Sequence, residues 1–234
     1  MTDFSALRAE ALEANLRIWR AGLVMSTFGN VSVIDPEANA IAIKPSGVGY
    51  DALGAANMVV CDGDGRVLYG NLRPSSDLAS HLILYRSFPA VRSVVHTHSK
   101  FATVFAQAKR PIPALGTTHA DYFRTTVPVT RDLSEREIAE DYVAATGRAI
   151  VEAHAGRDPL DTPAALAPSH GPFAWGVDGA DAAHNAEMLE FAAELAFHTL
   201  TLDPTRFAMD RALSERHFTR KHGAQASYGQ CRSE

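Results

Sequence analysis

Two histidines separated by one residue follow a short apolar run. The run spans residues 91–95 and leads into His96-Thr97-His98. Alternate side chains of a β-strand point to the same face, so a strand here would hold the two imidazoles about 6 to 7 Å apart on one side. Neutral imidazole is the commonest protein ligand for zinc and similar metals. The pair is a candidate metal site; the alternative is one structural histidine and a chance spacing.

One of the remaining histidines is a candidate for a third nitrogen ligand. His170 precedes Gly171-Pro172 at a predicted strand-to-turn junction, where a side chain can be held rigidly at a sheet edge. Cys61 and Cys231 are too far apart in sequence to form a thiolate metal motif, so any metal here would be bound by nitrogen and oxygen. The position of His119 is ambiguous. Six further histidines fall on predicted helices and are interpreted as structural: His81, His154, His184, His198, His217 and His222.

Three predicted loops contain small polar residues, and one of these loops also contains a lysine. Asp77 stands at a predicted helix start, where its carboxylate either approaches a metal or simply caps the helix. Backbone donors, hydroxyls and a cation together suit a phosphate group, although they match no Walker motif. The residues concerned are Gly29, Asn30, Lys44, Ser46, Gly47, Ser75 and Ser76.

One segment partly matches the glycine-rich fingerprint of dinucleotide-binding proteins. Gly47-Val48-Gly49-Tyr50-Asp51-Ala52 formally matches Gly-x-Gly-x-x-Ala. Gly54 soon interrupts the helix that should follow, and the preceding strand belongs to a predicted hairpin rather than to a parallel βαβ unit. The sequence therefore predicts no nicotinamide cofactor.

The elements that position these residues indicate one α/β domain spanning residues 1–234. Turn residues 35–39 and 62–65 each separate two short apolar strands, so the sheet is at least partly antiparallel. Ser134 and Glu137 form a capping-box pattern that opens a helix. Helices are predicted near residues 7–21, 78–88, 99–108, 178–202 and 210–221, and strands near 31–34, 40–44, 58–61, 66–69, 91–95, 164–169 and 173–175.

Composition excludes several classes of function. The apolar content is 46% and the formal net charge is −5, without a basic cluster of the kind that binds nucleic acid. No apolar stretch approaches the roughly 18 residues needed to span a bilayer, and the chain does not open with a secretory pattern. We expect a cytoplasmic protein that binds neither nucleic acid nor membrane.

Seven short sequence blocks, distributed over nearly the whole chain, resemble the motifs of a known protein family. Their order and spacing resemble the epimerase branch of the class II aldolase/adducin family. The blocks are Gly29-Asn30-Val31-Ser32, Lys44-Pro45-Ser46-Gly47, Pro74-Ser75-Ser76-Asp77, His96-Thr97-His98-Ser99, 116–123, 170–176 and Tyr228-Gly229-Gln230.

The resemblance implies a fold and an assembly. The fold is a three-layer αβα sandwich with a central, mostly antiparallel sheet. The assembly is a cyclic homotetramer with active sites between neighbouring subunits. His96, His98 and His170 match the zinc ligands of the family, with manganese or cobalt as alternative metals, and Asp77 matches the acidic residue beside the metal.

The resemblance also implies catalytic and substrate-binding residues. Asp121 and Tyr228 match the acid/base pair, which is expected to reach the metal from an adjacent subunit. Asp141 replaces a second glutamate of related epimerases, so its role is open. The positions that match phosphate-binding residues are Asn30, Lys44, Ser46, Gly47, Ser75 and Ser76.

The activity implied is C4 epimerisation of L-ribulose 5-phosphate to D-xylulose 5-phosphate, an isomerase step associated with arabinose catabolism. The C4 proton is not adjacent to the C2 carbonyl, so cleavage between C3 and C4, rotation of the aldehyde and re-addition are favoured over direct proton abstraction. One alternative is an aldolase of the L-fuculose-1-phosphate type, which would have glutamate at position 77. The other is a noncatalytic interaction protein of the adducin kind.

Overall fold

A seven-stranded sheet forms the centre of the protein in the computed structural model, which describes residues 3–222, 226 and 227. The strands are β1 (Asn30–Asp35), β2 (Ala40–Ile43), β3 (Val59–Asp62), β4 (Val67–Tyr69), β5 (Ser93–His96), β6 (Ala164–Ala167) and β7 (Gly171–Gly176). Their order across the sheet is β4-β3-β2-β1-β5-β7-β6, and each neighbouring pair is antiparallel.

Helices cover both faces of the sheet. Val95 lies in one buried cluster with Ala102, whereas Val94, the preceding residue, lies in another buried cluster with Leu84 on the opposite face. This alternation is the period of a strand that is buried on both sides. The predicted αβα layering is confirmed. The helices are α1 (Ser5–Arg20), α2 (Leu78–Ser87), α3 (Lys100–Gln107), α4 (Thr117–Ala120), α5 (Glu135–Ala153), α6 (Gly179–Leu202) and α7 (Arg211–His222), with short 3₁₀ turns at Tyr50–Ala52 and Ala55–Asn57.

The strand register gathers several strand ends at one edge of the sheet. Asn30, the first residue of β1, pairs with His96, the last residue of β5, and His96 also pairs with Phe173 near the start of β7. Ser32 pairs with Ile43, so the end of β2 lies at the same edge. Side chains that are distant in sequence therefore converge there.

Two predicted strand boundaries are wrong. β5 ends at His96, so His98 lies beyond the strand rather than on it. β6 ends at Ala167 and β7 begins at Gly171, which places His170 in the connecting turn. In contrast, the predicted capping box is confirmed: Ser134 Oγ accepts from the Glu137 amide, and the Glu137 carboxylate accepts from the Ser134 amide.

The helices differ from a membrane span, which needs about 20 consecutive, predominantly apolar residues. Within the described part of the chain, none of them is both long enough and apolar enough to cross a bilayer.

Candidate metal and phosphate site

Three histidines converge at the shared sheet edge. One ring nitrogen from each of His96, His98 and His170 lies within 4.8 Å of the other two. The Nε2 atoms of His96 and His98 are 3.2 Å apart. The predicted trio is thus brought together, although its members come from a strand end, the residues after it and a turn.

His96 is held in one orientation and one protonation state. Its Nδ1 lies 3.0 Å from the carbonyl oxygen of Pro172, and its ring stacks on Phe173 with centroids 4.3 Å apart. Because a carbonyl only accepts, Nδ1 carries the proton and Nε2 keeps a free lone pair. Burial lowers the pKa of His96 to about 3, so the ring is neutral at physiological pH.

The other two histidines are held by aromatic neighbours. The exposed ring of His98 stacks on Phe28, with centroids 5.6 Å apart and planes 9° from parallel. His170 Nδ1 lies 3.1 Å from the hydroxyl of Tyr142 on α5. Sequence reasoning missed these two partners and Phe173, because nothing local in the sequence marks an aromatic residue that contacts a distant histidine.

The donor set fits a divalent metal. Two nitrogens bound to one tetrahedral zinc at about 2.0–2.1 Å would be about 3.3–3.4 Å apart, close to the 3.2 Å between His96 and His98 Nε2. Imidazole nitrogens suit zinc and other first-row transition metals. His96, His98 and His170 are therefore the residues that would hold a metal, which would serve as a Lewis acid.

Asp77 lies next to the histidines and does not cap its helix. It precedes α2, but its carboxylate makes no capping hydrogen bond and instead accepts from Asn30 Nδ2 at 2.7 Å. Burial opposes the charge on this carboxylate. In the acidic range where Asp77 titrates, attraction to the protonated ring of His96 and the Asn30 hydrogen bond outweigh burial and hold the pKa of Asp77 below its ordinary value. A negative charge therefore stands beside the three neutral imidazoles.

A polar cleft of about 340 Å³ connects the histidines to the predicted phosphate residues. This volume is at the lower end of the range for small-molecule sites, about 300–1,000 Å³. Every residue predicted from the sequence for the metal or the phosphate lines it. The lining consists of Thr27, Phe28, Gly29, Asn30, Lys44, Pro45, Ser46, Gly47, Ser75, Ser76, Asp77, His96, His98 and His170.

Backbone hydrogen bonds join the two loops that contain most of the predicted phosphate-binding residues. The Ser46 amide donates to the Arg73 carbonyl at 2.9 Å, and the Ser75 amide donates to the Lys44 carbonyl at 3.0 Å. Lys44 is only 2% exposed, and its Nζ donates to the Thr27 carbonyl at 3.2 Å. Burial lowers the pKa of Lys44. An anion in the cleft would stabilise this buried ammonium group.

The predicted acid/base pair is not assembled within the described chain. Asp121, at the end of α4, pairs with His217 and Arg220 of α7. Among the residues that the structure describes, those lining the cleft do not include Asp121. Tyr228 lies outside the described residues. The proposed contribution of both residues from a neighbouring subunit stays a prediction.

Hydrogen bonds fix the positions of two histidines outside the trio, and an ion pair fixes that of one carboxylate. His81 is buried with Nδ1 2.7 Å from Ser32 Oγ, and His119 Nε2 donates to the Thr125 carbonyl at 2.9 Å. Asp141 is exposed and pairs with Arg148 at 3.0 Å. In the described structure, these three side chains are outside the cleft lining.

The family model described as Class II Aldolase and Adducin N-terminal domain matches residues 9–197. The chain belongs to this family, whose class II aldolases use a divalent metal, typically zinc. The trio of histidines at the sheet edge agrees with that chemistry.

Solved structures of the same fold cover nearly the whole chain. An L-fuculose 1-phosphate aldolase is 25% identical, with a TM-score of 0.78 and coverage of 93% of this chain and 96% of that chain. YgbL from Escherichia coli, provisionally assigned as an aldolase/epimerase/decarboxylase, is 25% identical, with a TM-score of 0.72 and coverage of 90% and 97%. YgbL from Klebsiella pneumoniae is 24% identical, with a TM-score of 0.69 and coverage of 92% and 99%.

Proposed function

We propose that this protein is a metal-dependent sugar-phosphate epimerase that interconverts L-ribulose 5-phosphate and D-xylulose 5-phosphate at C4. The observation that carries the proposal is one cleft lined by three histidines, Lys44 and two loops that contain serines. A pentulose phosphate has both groups that such a cleft would bind: vicinal oxygens at one end and a phosphate at the other.

The chemistry follows from the position of C4. Its proton is not adjacent to the C2 carbonyl, so the C3–C4 bond breaks, the C4 hydroxyl gives its proton to a base, and the C3 fragment keeps the electron pair. A bound divalent metal would stabilise the negative charge of that fragment. Lys44, Ser46, Ser75 and Ser76 hold the phosphate of the aldehyde fragment. The aldehyde then rotates, and the C3–C4 bond re-forms on its other face.

Two acid/base groups are needed on opposite sides of the aldehyde, because the C4 oxygen loses a proton on one side and regains it on the other. Asp121 and Tyr228 are assigned to these roles. Since Asp121 is outside the lining of its own cleft, a neighbouring subunit of a cyclic homotetramer supplies it. Apolar side chains exposed on α6, such as Phe191, Leu195 and Leu202, support a subunit contact.

A second candidate is an aldolase that releases both fragments. The similarity in fold to an L-fuculose 1-phosphate aldolase favours it. Asp77 and the block at 116–123 favour the epimerase, because aspartate at this position and the His119-to-Phe123 segment carry the resemblance to that branch. The cytoplasmic location and the arabinose pathway expected from the sequence stay predictions, as does the single domain over residues 1–234.

The deciding experiment is a product assay. Protein loaded with zinc is incubated with L-ribulose 5-phosphate, with a chelator-treated sample and the His98→Asn variant as controls. Metal-dependent D-xylulose 5-phosphate supports the epimerase, whereas accumulation of dihydroxyacetone and glycolaldehyde phosphate supports the aldolase. Absence of turnover in the loaded protein would contradict the epimerase and any aldolase that cleaves this substrate.

Sharing of the active site is tested by complementation. His98→Asn and Asp121→Asn variants are each expected to be inactive, but coexpressed chains would form mixed tetramers. About a quarter of the sites would then combine an intact His98 with an intact Asp121 from the neighbour. Recovered activity supports a shared site; coexpression without recovery, in tetramers shown to be mixed, argues that each chain uses its own Asp121.

A further inference from the structure

Tyr142 is the hydrogen-bond partner of His170, the histidine of the trio that lies in a turn between two strands. We propose that Tyr142 is a positioning residue that orients His170 and fixes its tautomer for metal binding. This inference rests on the proposed metal site and assigns a role to a residue outside the predicted ligand and catalytic sets.

The backbone around His170 gives the side chain little support of its own. His170 lies in the turn between β6 and β7 and follows Ser169, whose φ is +58°, in the left-handed region that non-glycine residues rarely adopt. His96, by contrast, ends a central strand and lies under the ring of Phe173. The orientation of the His170 ring therefore depends on contacts from another element.

Tyr142 supplies such a contact at the right atom. Its hydroxyl is 3.1 Å from His170 Nδ1, and the two ring centroids are 6.0 Å apart. When the hydroxyl accepts a hydrogen bond from Nδ1, the lone pair is left on Nε2. The Pro172 carbonyl, which can only accept, requires this tautomer of His96. Such partners of metal-binding histidines set the tautomer and the ring orientation.

Helix α5 is shaped so that Tyr142 can make this contact. Asp141 leaves the helical conformation, with φ −159° and ψ 47°, and Tyr142 is the first residue after this kink. The segment that follows is fastened to α2, because Ser80 Oγ donates to the Val143 carbonyl and Gly147 packs on the Ser80 backbone. The helix that begins beside Asp77 thereby also fixes the position of Tyr142.

The Tyr142 ring is not part of the buried core. It is 41% exposed and lines a neighbouring surface cavity of about 390 Å³ together with Ile138 and Thr146. Loss of its hydroxyl would therefore leave the packing of α5 nearly unchanged. This exposure allows the role of the hydroxyl to be separated from the stability of the fold.

The test compares Tyr142→Phe with Tyr69→Phe. Tyr69 is a matched control because its hydroxyl also has a hydrogen-bond partner, Arg8 at 3.0 Å, and it lies on β4 at the far edge of the sheet. Zinc affinity is measured by chelator competition, and the ring nitrogens of His170 are observed by NMR in metal-free, ¹⁵N-histidine-labelled protein. We expect Tyr142→Phe to weaken zinc binding about 10- to 100-fold. We also expect it to convert a single Nδ1–H tautomer into a mixture, while Tyr69→Phe changes neither measurement.

Unchanged zinc affinity together with an unchanged tautomer in Tyr142→Phe would overturn the inference, as would equal effects in the two variants. Failure of the wild-type protein to bind zinc would refute the proposed metal site instead. In that case the NMR spectra of the metal-free proteins still decide whether Tyr142 fixes the His170 ring.

Discussion

Arg220 on α7 forms a two-point ion pair with Asp121 at the end of α4. Its Nε donates to Oδ1 at 3.2 Å and its Nη2 donates to Oδ2 at 2.9 Å, while His217 Nδ1 is 3.0 Å from Oδ1. Burial alone would raise the pKa of Asp121. The hydrogen bonds from Arg220 and His217 outweigh burial and hold that pKa below its ordinary value. Asp121 is therefore ionised at neutral pH, which is the form that its proposed role as a base requires.

Arg220→Gln should change the pH dependence of turnover. Without the guanidinium, the pKa of Asp121 rises, so the base form disappears at a higher pH as the solution is acidified. The acidic limb of the profile of kcat/KM against pH should move upward. Arg20→Gln, which breaks the exposed pair with Glu13, is the control. Superimposable acidic limbs for Arg220→Gln and wild type would exclude Asp121 as the titrating base.

Lys44→Gln should weaken phosphate binding without loss of metal. A hydrogen bond to a charged group contributes about 1.5–3 kcal/mol, which corresponds to about a 10- to 150-fold rise in the dissociation constant of inorganic phosphate. Calorimetric titration with phosphate measures this change. Metal analysis of the same variant shows whether the histidines still bind the metal. Lys109→Gln is the matched control, because Lys109 pairs with Asp132 on the surface. An unchanged phosphate affinity in Lys44→Gln would show that phosphate binds at a different part of the protein.

Much of the fold could be predicted because its signals are local. Residues 35–39 and 62–65 mark hairpins by their turn chemistry, and Ser134 with Glu137 marks a helix start within four residues. The spacing of His96 and His98 likewise singled out the site, even though only His96 is in the strand. Two rings on the same side of an extended segment converge whether or not the strand pairing continues.

The contacts that hold His170 and Asp121 in place depend on tertiary packing and were not predicted. Tyr142 meets His170 only because α5 kinks at Asp141 and packs on α2. Arg220 meets Asp121 across 99 residues of chain. Neither pair has a periodicity or a spacing that would connect its members in the sequence. The resemblance drew attention to Asp141; its carboxylate pairs with Arg148, and its backbone leaves the helical conformation just before Tyr142.

Gly171→Ala should damage both stability and the metal site. A Cβ at this position would lie 2.6 Å from the carbonyl oxygen of Thr97 and 3.4 Å from the ring of His98, so β7 would have to move away from the segment after β5. Forced overpacking of this kind costs about 1–3 kcal/mol of unfolding free energy. Urea denaturation and zinc competition measure the two effects. Gly54→Ala, at a position with open space around the added Cβ, is the control; equal stabilities for the two variants would contradict the argument.

Glu137→Gln should destabilise the protein in a pH-dependent way. The hydrogen bond from Arg131, and then those from Ser134, lower the pKa of Glu137 from 4.5 to about 2. A carboxylate with a lowered pKa stabilises the folded state fully above its unfolded value, and this contribution is lost as the pH falls through the folded value. The melting temperature of Glu137→Gln should therefore lie below that of the wild type by a constant amount from about pH 7 to pH 5, and the gap should narrow below about pH 4.5. Glu140→Gln, on the same helix, controls for the lost charge. A gap that stays constant down to about pH 3 would show that the Glu137 carboxylate does not stabilise the start of α5.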